Sequence, residues 1–270
     1  MDRAVIMGTF EFAGFHFCTK LLEKGIEIVG IHQSGSGNDD YLTHKRLAIG
    51  RNANFHEVTL EQWLPIANIT EKTLFIIDYY DYFIQNKTEF FNKHNLIEDF
   101  FRRKVKEIKE TQSCIIMLLP IQWAASTDKG NQFIQLIQSH RIYLPTLYGP
   151  WQPKTFLFQQ ALLKNLQKVD QLSLNEREWT DDAIYIDDAV LTSLKLIDNP
   201  AGAYILKSDM NDQWQKCAQN LSIPLNEFTF NKRATDINNR DFCIKVVKSE
   251  RLISERIEEQ KKYLRFLLKG

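Results

Sequence analysis

The chain is 270 residues long, 44% hydrophobic and 25% charged, which is enough for one large core or a core with a lobe beside it. Its 34 basic and 34 acidic side chains cancel, so no whole-molecule field draws it to nucleic acid or to an anionic lipid surface. The longest apolar runs, such as Ile115 to Ile121, fall far short of the roughly 20 residues that span a bilayer, and no secretory leader is read ahead of the first strand. Cys18, Cys114, Cys217 and Cys243 form no C-x-x-C pair, which argues against a zinc site or a disulfide framework. A reduced, cytoplasmic protein with no metal, no membrane and no nucleic acid is therefore expected.

Ala4 to Met7 reads as a buried strand, and the amphipathic segment from Gly14 to Lys24, closed by Gly25, as a helix. Ile26 to Ile31 is the next strand, followed by a glycine-rich loop at Ser34 to Asn38. Thr73 to Asp78 and Ser113 to Leu119 are further apolar strands. Between them Leu96 to Glu110 is a charged helix, whose interleaved acids and bases describe a solvated face. From about Trp151 the pattern changes to a helix at Phe156 to Asn165, a strand at Tyr185 and a helix from Ala189 to Ile197, opened by Asp187 or Asp188 as N-cap. A last helix runs from Ser249 to Leu268, with Leu252, Ile253, Ile257, Leu264 and Leu267 spaced to face the core.

Alternating strands and helices predict an α/β fold, a Rossmann-like doubly wound parallel sheet with a small C-terminal α/β lobe. The expected organisation is a dinucleotide-binding-type domain over 1–150 and a smaller substrate-type lobe over 151–270, interleaved into one compact unit.

The first turn carries the chemistry. A strand, a glycine-bearing turn and a helix place free N–H groups and a helix N-terminus together, an anion site suited to a pyrophosphate. The spacing here is Gly8-x-x-Glu11-x-x-Gly14. The middle glycine of the usual fingerprint lets the backbone approach the phosphates, whereas Glu11 brings bulk and negative charge to that place.

Later segments join this turn in a wider pattern. Leu144-Pro145-Thr146-Leu147-Tyr148-Gly149-Pro150, then Asp181-Asp182-Ala183-Ile184-Tyr185-Ile186-Asp187-Asp188-Ala189-Val190, then Pro200-Ala201-Gly202-Ala203-Tyr204-Ile205-Leu206 follow in order. They resemble the "R-L-P-x-x-Y-G-P", "R-D-F-x-Y-V-D-D-V" and "G-x-Y-N-V-G" segments of the extended short-chain dehydrogenase/reductase family, in particular its nucleotide-sugar epimerases and dehydratases. The resemblance implies that Gly8, Glu11, Phe12, Gly14, His32 and Asp78 occupy the ancestral cofactor site. Trp123, Tyr143, Tyr148 and Trp151 fall at the substrate-type pocket, though tryptophans there are as often core.

The residues that would do chemistry depart from the family. His32 stands where an Asp usually accepts from the adenosine ribose, which weakens NAD binding and leaves NADP open. Phe75-Ile76-Ile77-Asp78-Tyr79-Tyr80 resembles the family's "V-I-H-L-A-A", with Tyr79 and Tyr80 filling space that small alanines leave for the cofactor. The strand that should end in a Ser or Thr ends Met117-Leu118-Leu119-Pro120. No Tyr-x-x-x-Lys follows it: Ala125 stands four residues ahead of Lys129, and Ser126, Thr127 and Tyr143 lack the required spacing. Without that pair, proton transfer at a carbinol loses roughly 10² to 10⁴ in rate. Tyr143 and Asp181 also replace arginines that would fork a diphosphate.

The sequence thus predicts a catalytically degenerate member of the family, a pseudoenzyme with no cofactor or weak NAD(P) that binds an unknown protein partner or small molecule, with a homodimer open. An active NAD(P)-dependent oxidoreductase or epimerase with a rearranged site is the alternative, and chemistry without nicotinamide at His16, His32 or Asp78 is a third reading. On the leading reading, Glu11 stands in for the missing anion at the helix N-terminus. Glu11→Gly is then expected to restore some dinucleotide affinity if Tyr79 and Tyr80 leave room.

Overall fold

The computed structural model describes residues 2–32, 41–87, 94–124, 139–166, 168, 170–228 and 242–268. The loop at Ser34 to Asn38 and the segment holding Ala125, Ser126, Thr127 and Lys129 lie outside the described residues. In chain order the elements are β1 (Arg3–Met7), α1 (Phe12–Leu22), β2 (Glu27–His32), α2 (Leu42–Ile49), β3 (Phe55–Thr59), α3 (Leu60–Trp63), β4 (Thr73–Asp78), α4 (Tyr79–Ile84), α5 (His94–Arg103), α6 (Val105–Glu110) and β5 (Cys114–Pro120). Then come β6 (Ser139–Leu144), β7 (Thr146–Tyr148), α7 (Leu157–Asn165), β8 (Ala183–Tyr185), α8 (Ile186–Lys195), β9 (Gly202–Ser208), α9 (Gln213–Asn220), β10 (Phe242–Val247) and α10 (Ile253–Leu267).

A mostly parallel eight-stranded sheet flanked by helices runs in the order β3-β2-β1-β4-β5-β6-β9-β10, and β7 and β8 form a separate parallel pair. β1 lies between β2 and β4, parallel to both, and the strand order reverses there. That reversal is the topological switch point, where doubly wound sheets open a crevice at the carboxyl ends of their strands. β4 is buried at every position, the near-continuous apolar run of a strand covered on both faces.

The contacts divide the chain into two units. One comprises Met1–Leu119, Thr127–Ile142 and Lys195–Ala203; the other comprises Pro120–Ser126, Tyr143–Leu194 and Tyr204–Gly270. In the first unit, Gly25 at φ +74° takes the left-handed conformation that ends α1, and the Ile26 N–H returns to the Leu21 carbonyl as the chain enters β2. β3 went unread in the sequence because an edge strand, paired on one side and half exposed, needs no apolar run. The helix expected over Leu96 to Glu110 is two helices, broken at Lys104, whose N–H is shared between the Phe100 and Phe101 carbonyls.

The second unit packs around Tyr148, Leu157, Phe158, Leu162, Trp214, Cys217 and Leu264, all buried. The Phe158 and Trp214 rings lie 5.3 Å apart. α7 has no capping side chain of its own. The buried Glu178 carboxylate instead accepts from the Leu157 N–H at 3.0 Å and the Trp214 indole N–H at 3.2 Å. Burial pushes the Glu178 carboxyl up to about 7.

Two expectations for this unit are corrected. α8 starts at Ile186, so Asp187 and Asp188 sit inside its first turn and neither is the N-cap. Asp188 instead pairs with Arg256, at 2.9 and 3.1 Å, and the guanidinium lies 4.0 Å over the Tyr185 ring. Leu252 is 68% exposed as the residue before α10, whereas Ile257, Leu264 and Leu267 are buried as their spacing required. All four cysteines are free, and among the described residues no helix is long and apolar enough to cross a membrane.

Truncating Phe158 to Ala removes the ring packed on Trp214 from the buried cluster, and the expected loss is about 3–5 kcal/mol in urea denaturation. A loss below about 1 kcal/mol would mean that this cluster does not carry the second unit's stability.

Candidate functional site

The turn after β1 is built by its own backbone. Gly8, at φ +95°, and Thr9 both donate their N–H to the Ile31 carbonyl, at 3.0 and 3.2 Å, and the Glu11 N–H returns to the Gly8 carbonyl at 2.9 Å. A Cβ on Gly14 would be driven into the Gly8 carbonyl, so this glycine is required by the approach of helix to strand. A Cβ on Gly8 would come within 2.9 Å of the Asp78 Cβ and 3.4 Å of the Tyr82 ring. Both glycines therefore have an architectural cause that needs no ligand.

The first turn of α1 is where a dinucleotide-binding fold presents amides to a pyrophosphate. Here the Ala13 N–H donates to Asp81 Oδ2 at 2.6 Å and the Gly14 N–H to Asp78 Oδ2 at 3.0 Å. Asp78 ends β4 and caps α4, its Oδ1 accepting the Asp81 N–H at 2.9 Å. Both aspartates have zero exposure. Burial, and then the neighbouring Asp81 carboxyl, push Asp78 well above the usual carboxylate range. Burial raises Asp81 to about 6, with the hydrogen bond from Asp78 holding it back.

Cations complete the cluster from other elements. Lys45 of α2, buried, donates to the Phe10 carbonyl at 2.5 Å and stands 5.7 Å from the Phe15 ring. Lys87 pairs with Glu11 at 2.5 Å, and the Gln85 amide donates to the same carboxylate at 3.0 Å.

Glu11 is therefore not the substitute anion that its position in the turn suggested. It is the residue before α1, but its side chain makes no capping hydrogen bond and is drawn to Lys87 and Gln85. The anion is supplied by Asp78 and by Asp81, which sequence reasoning missed. Tyr79 and Tyr80 are buried at the start of α4, with the Tyr79 hydroxyl 2.8 Å from the His94 ring. The ring that covers Gly8 belongs to Tyr82, one helical turn along from Tyr79.

His32 at the end of β2 contacts Glu57 at 2.9 Å, and Glu57 also takes the Arg46 fork. Phe10 packs beneath both, 5.9 Å from the His32 ring and 5.4 Å from the Arg46 guanidinium. Phe12 is buried, 5.5 Å from the His16 ring. In the second unit Trp123 is half-buried, Tyr143 packs on Phe242 at 5.3 Å, Tyr148 sits in the core against Phe158 and Tyr185, and Trp151 packs on Tyr263 at 4.8 Å. Among the described residues no group of three or more His, Cys, Asp or Glu is arranged to hold a metal.

The chain has the extended short-chain dehydrogenase/reductase-type fold of the NAD-dependent epimerases and dehydratases. Over 98% of its length it superposes on 97% of dTDP-glucose 4,6-dehydratase from Bacillus anthracis, solved with NAD, at a TM-score of 0.67 and 11% identity. It superposes similarly on 99% of UDP-glucose 4-epimerase from Thermotoga maritima, solved with UDP-glucose, at a TM-score of 0.66 and 13% identity. By sequence it is 25% identical to Protein CapI of Staphylococcus aureus in an alignment 239 positions long, which covers 74% of this chain and 70% of that one. No family model matches the chain.

Gly14→Ala is expected to lower stability by about 1–3 kcal/mol, because the new methyl must push α1 off the Gly8 carbonyl. Chemical denaturation checks this, and an unchanged midpoint would show that the contact between turn and helix can relax.

Proposed function

We propose that the chain is a catalytically degenerate relative of the nucleotide-sugar epimerases and dehydratases, which does not take up NAD(P) and acts by binding a protein partner or a small ligand. The observation that carries this reading is the pair of buried carboxyls, Asp78 and Asp81, on the Ala13 and Gly14 N–H groups. A dinucleotide pyrophosphate would need those same amides, and it would meet the Asp78, Asp81 and Glu11 carboxyl groups in a space closed to water. The residues at the turn do not fit the cofactor.

The sequence supports the same conclusion at a separate place. No Tyr-x-x-x-Lys stands in the sequence between the end of β5 at Pro120 and the start of β6 at Ser139, so the usual proton-transfer pair of the fold is missing as well. The four free cysteines, two of them buried with thiols pushed up to about 12, suit a reducing cytoplasmic setting.

A working oxidoreductase is the competing reading, favoured by the switch-point topology and by Gly8 at φ +95°. Calorimetric titration of the purified chain with NAD⁺, NADP⁺ and their reduced forms, after absorbance has shown that none co-purified, separates the two. No binding heat is expected up to about 1 mM ligand. Glu11→Gly is expected to stay equally silent, because it leaves both carboxyls on the α1 amides. A micromolar dissociation constant for the unmodified chain, about −8 kcal/mol, would overturn the proposal.

A further inference from the structure

Three of the four oxygens of Asp78 and Asp81 are accounted for by backbone donors: Asp78 Oδ1 by the Asp81 N–H, Asp78 Oδ2 by the Gly14 N–H and Asp81 Oδ2 by the Ala13 N–H. The fourth, Asp81 Oδ1, is sealed from solvent and, among the described residues, meets no nitrogen donor. The Asp78 and Asp81 carboxyls are within side-chain hydrogen-bonding reach of each other. Two ionised carboxylates side by side without water would repel strongly, and a buried acceptor left empty is costly.

Among the described residues, the surroundings do not supply enough positive charge to hold both ionised. Glu11 faces the pair from the turn and adds a third carboxylate, while Lys45 from α2 and Lys87 beyond α4 add two ammonium groups. Tyr82, the remaining titratable group against the pair among the described residues, is kept a neutral phenol by burial. Three carboxylates against two ammonium groups leave one negative charge in excess, more than the roughly half charge that a helix N-terminus offsets. One retained proton would balance the cluster and fill the empty acceptor.

We propose that Asp78 and Asp81 hold one proton between them, donated from the Asp78 carboxyl to Asp81 Oδ1, and that this proton locks the turn in its closed form. The proposal rests on the closed-site reading for its geometry and adds to it that closure depends on pH.

Its sign follows from linkage. Both carboxyls bind protons more tightly folded than unfolded, so their contribution is fully present below the ordinary carboxylate range and is lost as pH rises. The loss proceeds first through about 6, where Asp81 titrates, and then at higher pH as the shared proton leaves.

Asp81→Asn tests this, because the Asn oxygen can still accept from Ala13 while its NH₂ replaces the shared proton permanently. Thermal melts of both chains between about pH 5 and about pH 9 should show the unmodified protein losing several degrees relative to the variant as pH rises. Parallel curves would overturn the shared proton. Should Asp81→Asn fail to fold, infrared spectra of the unmodified chain near neutral pH decide instead: a protonated-carboxyl stretch that persists well above the ordinary carboxylate range supports the proposal, and its absence overturns it. NAD⁺ binding by the unmodified chain would sink the closed-site reading, whereas equal pH dependence sinks the shared proton alone.

Discussion

The N–H groups at the start of α1 must find acceptors in a place that water does not reach, and where those acceptors come from determines what the switch point can do. In a dinucleotide-binding fold the answer is a phosphate. Here it is two side chains at the junction of β4 and α4, which belong to the same unit of the chain as the turn they serve. One aspartate does double duty, capping its own helix through one oxygen and the neighbouring helix through the other. The second unit solves the same problem in the same way, with Glu178 reaching the first turn of α7 from outside the helix. In both places the residue before the helix offers no capping side chain, so a remote carboxylate takes over and is buried by doing so.

That arrangement explains why the glycines are a poor guide to function. Gly8 is held at a positive φ by the turn, and Gly14 is needed for α1 to pass the Gly8 carbonyl. Each would be required whether or not anything bound. A likeness of fold to NAD-dependent epimerases and dehydratases therefore carries the scaffold across and leaves the chemistry to be argued from the site.

The strands around the switch point were legible because burial on both faces writes itself as an unbroken apolar run, as in Thr73 to Asp78. β3 was not, since its edge position requires little of its sequence. The spacing Asp78-x-x-Asp81 before Phe83 and Ile84 was a readable helix start, and it marks where α4 begins. Nothing local, however, says that those carboxyls reach a turn more than 60 residues earlier in the chain. Glu11 looked like the substitute anion because it sits in the turn. It lost that role because Lys87 and Gln85, also distant in sequence, draw its side chain away. The periodicity of the last helix placed Ile257, Leu264 and Leu267 correctly and misplaced Leu252, which lies beyond the helical register that the spacing assumed.

The self-supplied acceptors also change how the turn is coupled to the cell. A protein whose phosphate loop is completed by a dissociable ligand gains stability in proportion to the logarithm of that ligand's concentration, so its abundance follows the metabolic state. On the proposed closed-site reading, a turn completed by Asp78 and Asp81 has no such term. Covalently attached to the chain, its counter-anion is present at the same effective concentration from the moment the first unit folds, and on the proposed closed-site reading swings in nucleotide supply pass it by.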